Sequence, residues 1–228
     1  MPETPILPRR VFLAGTAASA ALALSACATG YRFSFVDAVQ RLLFLSSERA
    51  FARMIAPGAF WDQQVAQLGL GEFLGGRGDV LARILTSALF KSRLEHAFAE
   101  IAFRASERAA PVVADTIRVI GYRNAVDLVR GGPTAATAYL RSNMGNRMID
   151  VMVPEVGDAM RVAQEPLVGQ LLSALTGVDV SGVATSFSTE VDDVIWREIG
   201  SEEAAIRADP AATRDPLLIG VFGAGNAF

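Results

Sequence analysis

The chain's only cysteine is Cys27, which stands directly behind an apolar run, and its being alone limits how the rest is held together. Neither a disulfide framework nor a cysteine metal site can form, so the fold has to stand on packing. The composition suits close-packed helices: hydrophobic residues make up 51%, alanine is plentiful, and there are three tyrosines. The alternation of β-branched and aromatic residues that marks strands is lacking. The reading is all-α, a single-domain multi-helix bundle behind a cleaved N-terminal segment.

That segment has the parts of a secretory signal: the Arg9-Arg10 pair, an apolar stretch from Val11 to Leu24, and small residues before a cleavage point. The stretch is shorter than the roughly 20 residues that cross a hydrocarbon core. Leu24-Ser25-Ala26-Cys27 resembles the lipobox of bacterial lipoprotein precursors, an aliphatic residue and two small ones before a cysteine. A thiol is the side-chain nucleophile suited to accept a diacylglyceryl group, and small residues let a peptidase reach the bond before it. The resemblance implies a mature chain that begins at an acylated Cys27 and is held on a membrane by lipid.

Arg9-Arg10-Val11-Phe12-Leu13 resembles the twin-arginine motif, which implies export in the folded state. The second mature residue is Ala28 and not the aspartate that usually retains lipoproteins at the inner membrane, which favours the outer membrane. The expected organisation is a signal peptide over 1–26, a lipidated start and short tether over 27–33, a helical domain over 34–223 and a tail over 224–228. Removing 26 of 228 residues leaves 202, enough for one domain with a sizeable core. Losing Arg9, Arg10 and Glu3 takes the net charge from −3 to −4, mixed along the chain, which speaks against nucleic acid as a partner.

The apolar spacing predicts a helix from Ser34 to Ala56 on Val36, Val39, Leu43, Ala50, Phe51 and Met54, ended by Pro57-Gly58. A weaker one spans Phe60 to Leu70. The Gly69–Gly78 stretch lacks the Gly-Lys-Ser/Thr ending of a phosphate cradle and reads as a linker. A helix capped by Asp79 runs to Ala110, with Pro111 interrupting it or opening the next, and shorter helices follow at 112–120 and 123–129. One helix is expected from Pro133 to Met152, one from Val156 to Leu175, then separate helices at 183–199 and 202–208. The apolar segment Asp215 to Phe222 closes the domain.

Ala109-Ala110-Pro111, Gly131-Gly132-Pro133-Thr134-Ala135-Ala136-Thr137-Ala138-Tyr139 and Ile206-Arg207-Ala208-Asp209-Pro210-Ala211-Ala212 resemble, in order and spacing, the bacterial family called domain of unknown function DUF 4197. The resemblance covers about Phe35 to Gly223 and implies an exported helical protein, with no reaction, substrate or catalytic residue to carry over. Pro133, Phe103 and Asn124 depart from it, since the family usually has an acidic residue, an asparagine and an aspartate near those places.

No catalytic set and no cofactor are read from the residues. Gly131, Gly132, Thr134 and Thr137 form a candidate ligand or anion turn, because glycines before a helix leave backbone N–H groups exposed. The competing reading is a tight turn whose small neighbours allow close packing. His96, with Glu100 one helical turn later, reads as a surface or boundary histidine. The carboxylates Glu190, Asp192, Asp193, Glu198, Glu202 and Glu203 read as a solvated face, and Trp196 as core. These features favour a non-enzymatic, membrane-tethered binding or scaffold protein of the cell envelope, whose partner is an envelope protein or an apolar ligand. The alternatives are an envelope hydrolase built on the Gly131 turn with Arg130 or Arg141, and a docking module using Leu217 to Phe222.

Overall fold

A computed structural model of the chain describes residues 34–70, 88–162 and 180–223. The Ser34 side chain caps the first helix, α1 (Phe35–Met54), by accepting from Asp37 N–H at 3.3 Å. Ala38, Val39, Leu42, Leu43, Ala50, Phe51 and Met54 form its buried stripe. Val36, expected on that stripe, is 42% exposed because it lies in the first turn, beyond the reach of the neighbouring helices. In α2 (Phe60–Leu68), Trp61 and Val65 are one turn apart, and both are buried.

The helix α3 (Ala88–Val119) corrects the expected break at Pro111, which lies inside it. Proline removes one backbone hydrogen bond and strains the turn before it. Ala109, Val113 and Ile117, four residues apart on either side, are all buried, and their burial holds the helix together across the proline. After α4 (Ala125–Arg130), the single helix expected from Pro133 to Met152 is instead two, α5 (Ala135–Met144) and α6 (Arg147–Val162). Gly145, at φ 54° and ψ −131°, separates them in a conformation open to glycine. Pro154, expected to precede a new helix, is carried inside α6.

The two helices expected at 183–199 and 202–208 are one, α7 (Val180–Ala208). Gly200 does not end a helix here. A Cβ there would stand 3.3 Å from Thr134 Cγ2, so the missing side chain lets the start of α5 approach α7 closely. A 3₁₀ turn (Pro210–Thr213) and α8 (Pro216–Phe222) follow, with Asp215 capping α8 by accepting from the N–H groups of Leu217 and Leu218. Leu218 and Phe222, offered as docking residues, are buried within the chain, and α8 packs on α1.

The core is a four-helix arrangement in which α3 and α7 each pack against both α1 and α6. Phe98 and Phe187 meet across α3 and α7, edge to face at 5.1 Å between centroids. α1 and α3 run antiparallel: Gln40 Nε2 donates to Ile117 O at 3.2 Å near one end, while Met54 meets Ala99 and Phe103 around a shared cleft at the other. No strand occurs among the described residues, and none of their helices is long and apolar enough to cross a membrane.

Candidate functional site

The turn from Gly131 to Thr134 joins α4 to α5, and its donors have an occupant from the same chain. Glu203, fully buried on α7, accepts from Ala136 N–H at 3.0 Å and Thr137 N–H at 2.7 Å. A carboxylate at a helix N-terminus satisfies two of the unpaired donors and complements the positive end of the helix dipole. Arg207, one turn further along α7, donates from Nε to Glu203 Oε1 at 2.7 Å and from its two Nη atoms to Val129 O and Leu128 O at 2.9 and 2.8 Å. Those carbonyls end α4. One ion pair therefore closes both helix ends at the turn, with the guanidinium lying 4.9 Å from the centre of the Phe222 ring.

Gly131 is required by space. A Cβ there would fall 2.6 Å from Ala135 Cβ, whereas one on Gly132 would meet nothing within 4 Å. Thr134 makes no side-chain cap, and the buried Thr137 hydroxyl has no hydrogen-bond partner among the described residues. The geometry is that of a packed joint whose anion is supplied internally. Glu203, read from sequence as solvated, is the side chain on which the joint depends.

Asp192 is a second departure from the solvated reading. It is 4% exposed, accepts from Trp196 Nε1 at 3.1 Å and lies 3.2 Å from Arg141 Nη2, which also bonds Asp193. Burial pushes its carboxyl up to about 6, against the pull of Arg141 and the Trp196 hydrogen bond. Glu198 and Glu202 are both partnered by Arg53 of α1, at 2.7 and 2.9 Å, so they help dock α1 on α7. Trp196 is buried, as expected.

An open concavity lies at the other end of α1, where α1, α2 and α3 meet. It encloses about 350 Å³ over an apolar base that includes Met54, Trp61, Ala99 and Phe103. At its rim His96 Nδ1 meets Asp62 Oδ1 at 2.6 Å, and Nε2 lies 3.8 Å from Glu100 Oε1. The Asp62 hydrogen bond raises the His96 pKa above its ordinary 6.5, aided by the charges of Asp62 and Glu100 and opposed by partial burial. With Asp62 on Nδ1, the imidazole is fixed in orientation. Arg104 lines the same rim with no ion partner among the described residues.

The cleft has Met54, Trp61, Ala99 and Phe103 at its base and the charged or titratable Asp62, His96, Glu100 and Arg104 at its edge. No group of three or more His, Cys, Asp or Glu among the described residues is placed to hold a metal ion. His96 and Glu100 are one-turn neighbours in the sequence, where His96 reads as a surface or boundary histidine, and its side chain is exposed. Asp62 escaped sequence reading, since the pair spans 34 positions and depends on α2 docking on α3. The remaining sequence candidates, Arg9, Arg10, Leu24, Ser25, Ala26 and Cys27, lie outside the described residues, as do most of the Gly69–Gly78 linker and the Asp79 cap.

An all-α domain with a four-helix core, an internally neutralised α4–α5 joint and a cleft at one end is what the fold and these sites define. The sequence pattern of a family described as Protein of unknown function (DUF4197) matches residues 31–223, and the chain belongs to that family. No curated protein and no solved structure matches the chain.

Proposed function

We propose that this protein is a non-enzymatic lipoprotein of the bacterial cell envelope, anchored by lipid on Cys27, with its helical domain as the working part. The observation that carries this reading is the Leu24-Ser25-Ala26-Cys27 sequence, in which the only cysteine follows an apolar run. Two or more acyl chains hold a protein stably on a bilayer. Arg9 and Arg10 support the twin-arginine route, and Ala28 at the second mature position favours the outer membrane. Fractionation tests the anchor: Cys27→Ser moves the protein out of the membrane fraction. Retention of the variant there, as firm as that of the wild type, counts against it.

The α4–α5 turn gives little support to a hydrolase, because Glu203 takes the N–H groups of Ala136 and Thr137 that an oxyanion would need. The cleft between α1, α2 and α3 favours a more specific reading, a binding protein for a small amphiphile. Its apolar body rests on Met54, Trp61 and Phe103, and its head meets Arg104. Calorimetric titration with dodecanoate tests it. Wild type binds, and Arg104→Ala binds about 10- to 100-fold more weakly, since a hydrogen bond to a charged group contributes about 1.5–3 kcal/mol. Absence of heat with the wild type removes this reading and leaves the anchor untouched.

A further inference from the structure

The end of the domain opposite the cleft carries exposed apolar side chains that none of the described helices covers. Phe35 and Val36, in the first turn of α1, are 44% and 42% exposed, and Val119, the last residue of α3, is 78% exposed. The bond from Gln40 to Ile117 O fixes these two helix ends side by side. Because α1 and α3 are antiparallel, the first turn of α1 and the last residue of α3 project beyond that bond in the same direction. Tyr122 donates to the same Ile117 oxygen at 2.9 Å, folding the bend after α3 back on the end of the helix. Arg118, in the last turn, is paired with Asp115 at 2.6 Å and turned back over the Phe44 ring, whereas Arg123 is exposed on the bend with no ion partner among the described residues.

From these placements we infer that this end of the domain, Phe35, Val36 and Val119 with Arg123, rests on the membrane surface in which the Cys27 lipid is inserted. The inference depends on the anchor reading. Ser34 follows Cys27 by seven residues, a length of chain that spans at most about 25 Å. The chain therefore enters the domain at this end, and no other end of the bundle is tethered so closely. Apolar side chains beside an unpaired arginine suit an interface where hydrocarbon meets phosphate. A tethered surface also needs little affinity of its own, since the lipid has already raised its local concentration.

The cleft would then face away from the bilayer. Fourteen residues of α1 separate Gln40 from Met54, about 21 Å along the axis.

The test uses the full-length protein in vesicles of phosphatidylethanolamine and phosphatidylglycerol containing nitroxide-bearing lipids. With Cys27 acylated, a cysteine introduced at Val119→Cys or Leu89→Cys is the sole free thiol and takes a bimane label. Leu89 is 71% exposed and lies 30 residues from Val119 along α3, about 45 Å. The inference expects the label at 119 to be quenched at least threefold more than the label at 89. Equal quenching, or stronger quenching at 89, on protein whose mass shows the acyl group overturns the orientation and leaves the anchor standing. Protein lacking acyl mass on Cys27 overturns both.

Discussion

Removing the Glu203 carboxylate leaves three donors without an acceptor: the N–H groups of Ala136 and Thr137 and the Nε of Arg207. Breaking a buried ion pair from one side costs about 3–5 kcal/mol. Glu203→Ala is expected to lose that much stability in urea unfolding, and Glu203→Gln less, because its amide oxygen still accepts. A loss under about 1 kcal/mol for Glu203→Ala would contradict the joint described above. The residue was legible in principle, for it falls four after Ile199 and three before Ile206 on the buried stripe of α7. Expecting a break at Gly200 reset the helical phase and hid it. At His96 the raised pKa sets the sign of a pH effect. The favourable contact with Asp62 is present in full below pH 6.5 and is lost as pH rises through the raised value. Asp62→Asn should bring the His96 titration back toward 6.5 by NMR; an unchanged midpoint would show that Asp62 is not its cause.

At the scale of helices, most elements were legible from apolar spacing, as α1 shows, and the errors concern continuity. Pro111, Pro154 and Gly200 each carry a local signal to stop, and each lies inside a helix. Tertiary burial overrides a local cost of a few kcal/mol at the prolines. At Gly200 the approach of α5 gives the missing Cβ a purpose. Gly145 ran the other way: its neighbours suit a helix, and its positive φ ends one. Replacing Gly200 with alanine sets a helix-propensity gain of about 1 kcal/mol against crowding with Thr134 Cγ2. Thr134→Ser removes that methyl group. In a double-mutant cycle read by urea unfolding, the pair should therefore be more stable than the sum of the single changes. Simple additivity would mean that Thr134 is not what the glycine makes room for.

The described helices form one four-helix core with two distinct ends. Residues 34–36 of α1 lie at the end where α3 finishes, while Met54 and the His96–Asp62 pair lie around the cleft at the other. The all-α class was legible because periodicity and a lack of alternation are local properties of the sequence. The cleft was not, since Met54, Asp62 and His96 come from three helices and meet only through packing. Neither was the neutralised turn, whose anion lies 66 and 67 positions from its donors. The proposed anchor depends on Cys27, the chain's one cysteine. Intact mass spectrometry of the protein extracted from membranes, followed by sequencing of its first peptide, tests that directly. The expected chain begins at Cys27 and carries a diacylglyceryl group and an amide-linked acyl chain, and a mature chain with an unmodified Cys27, or one that begins elsewhere, would contradict it.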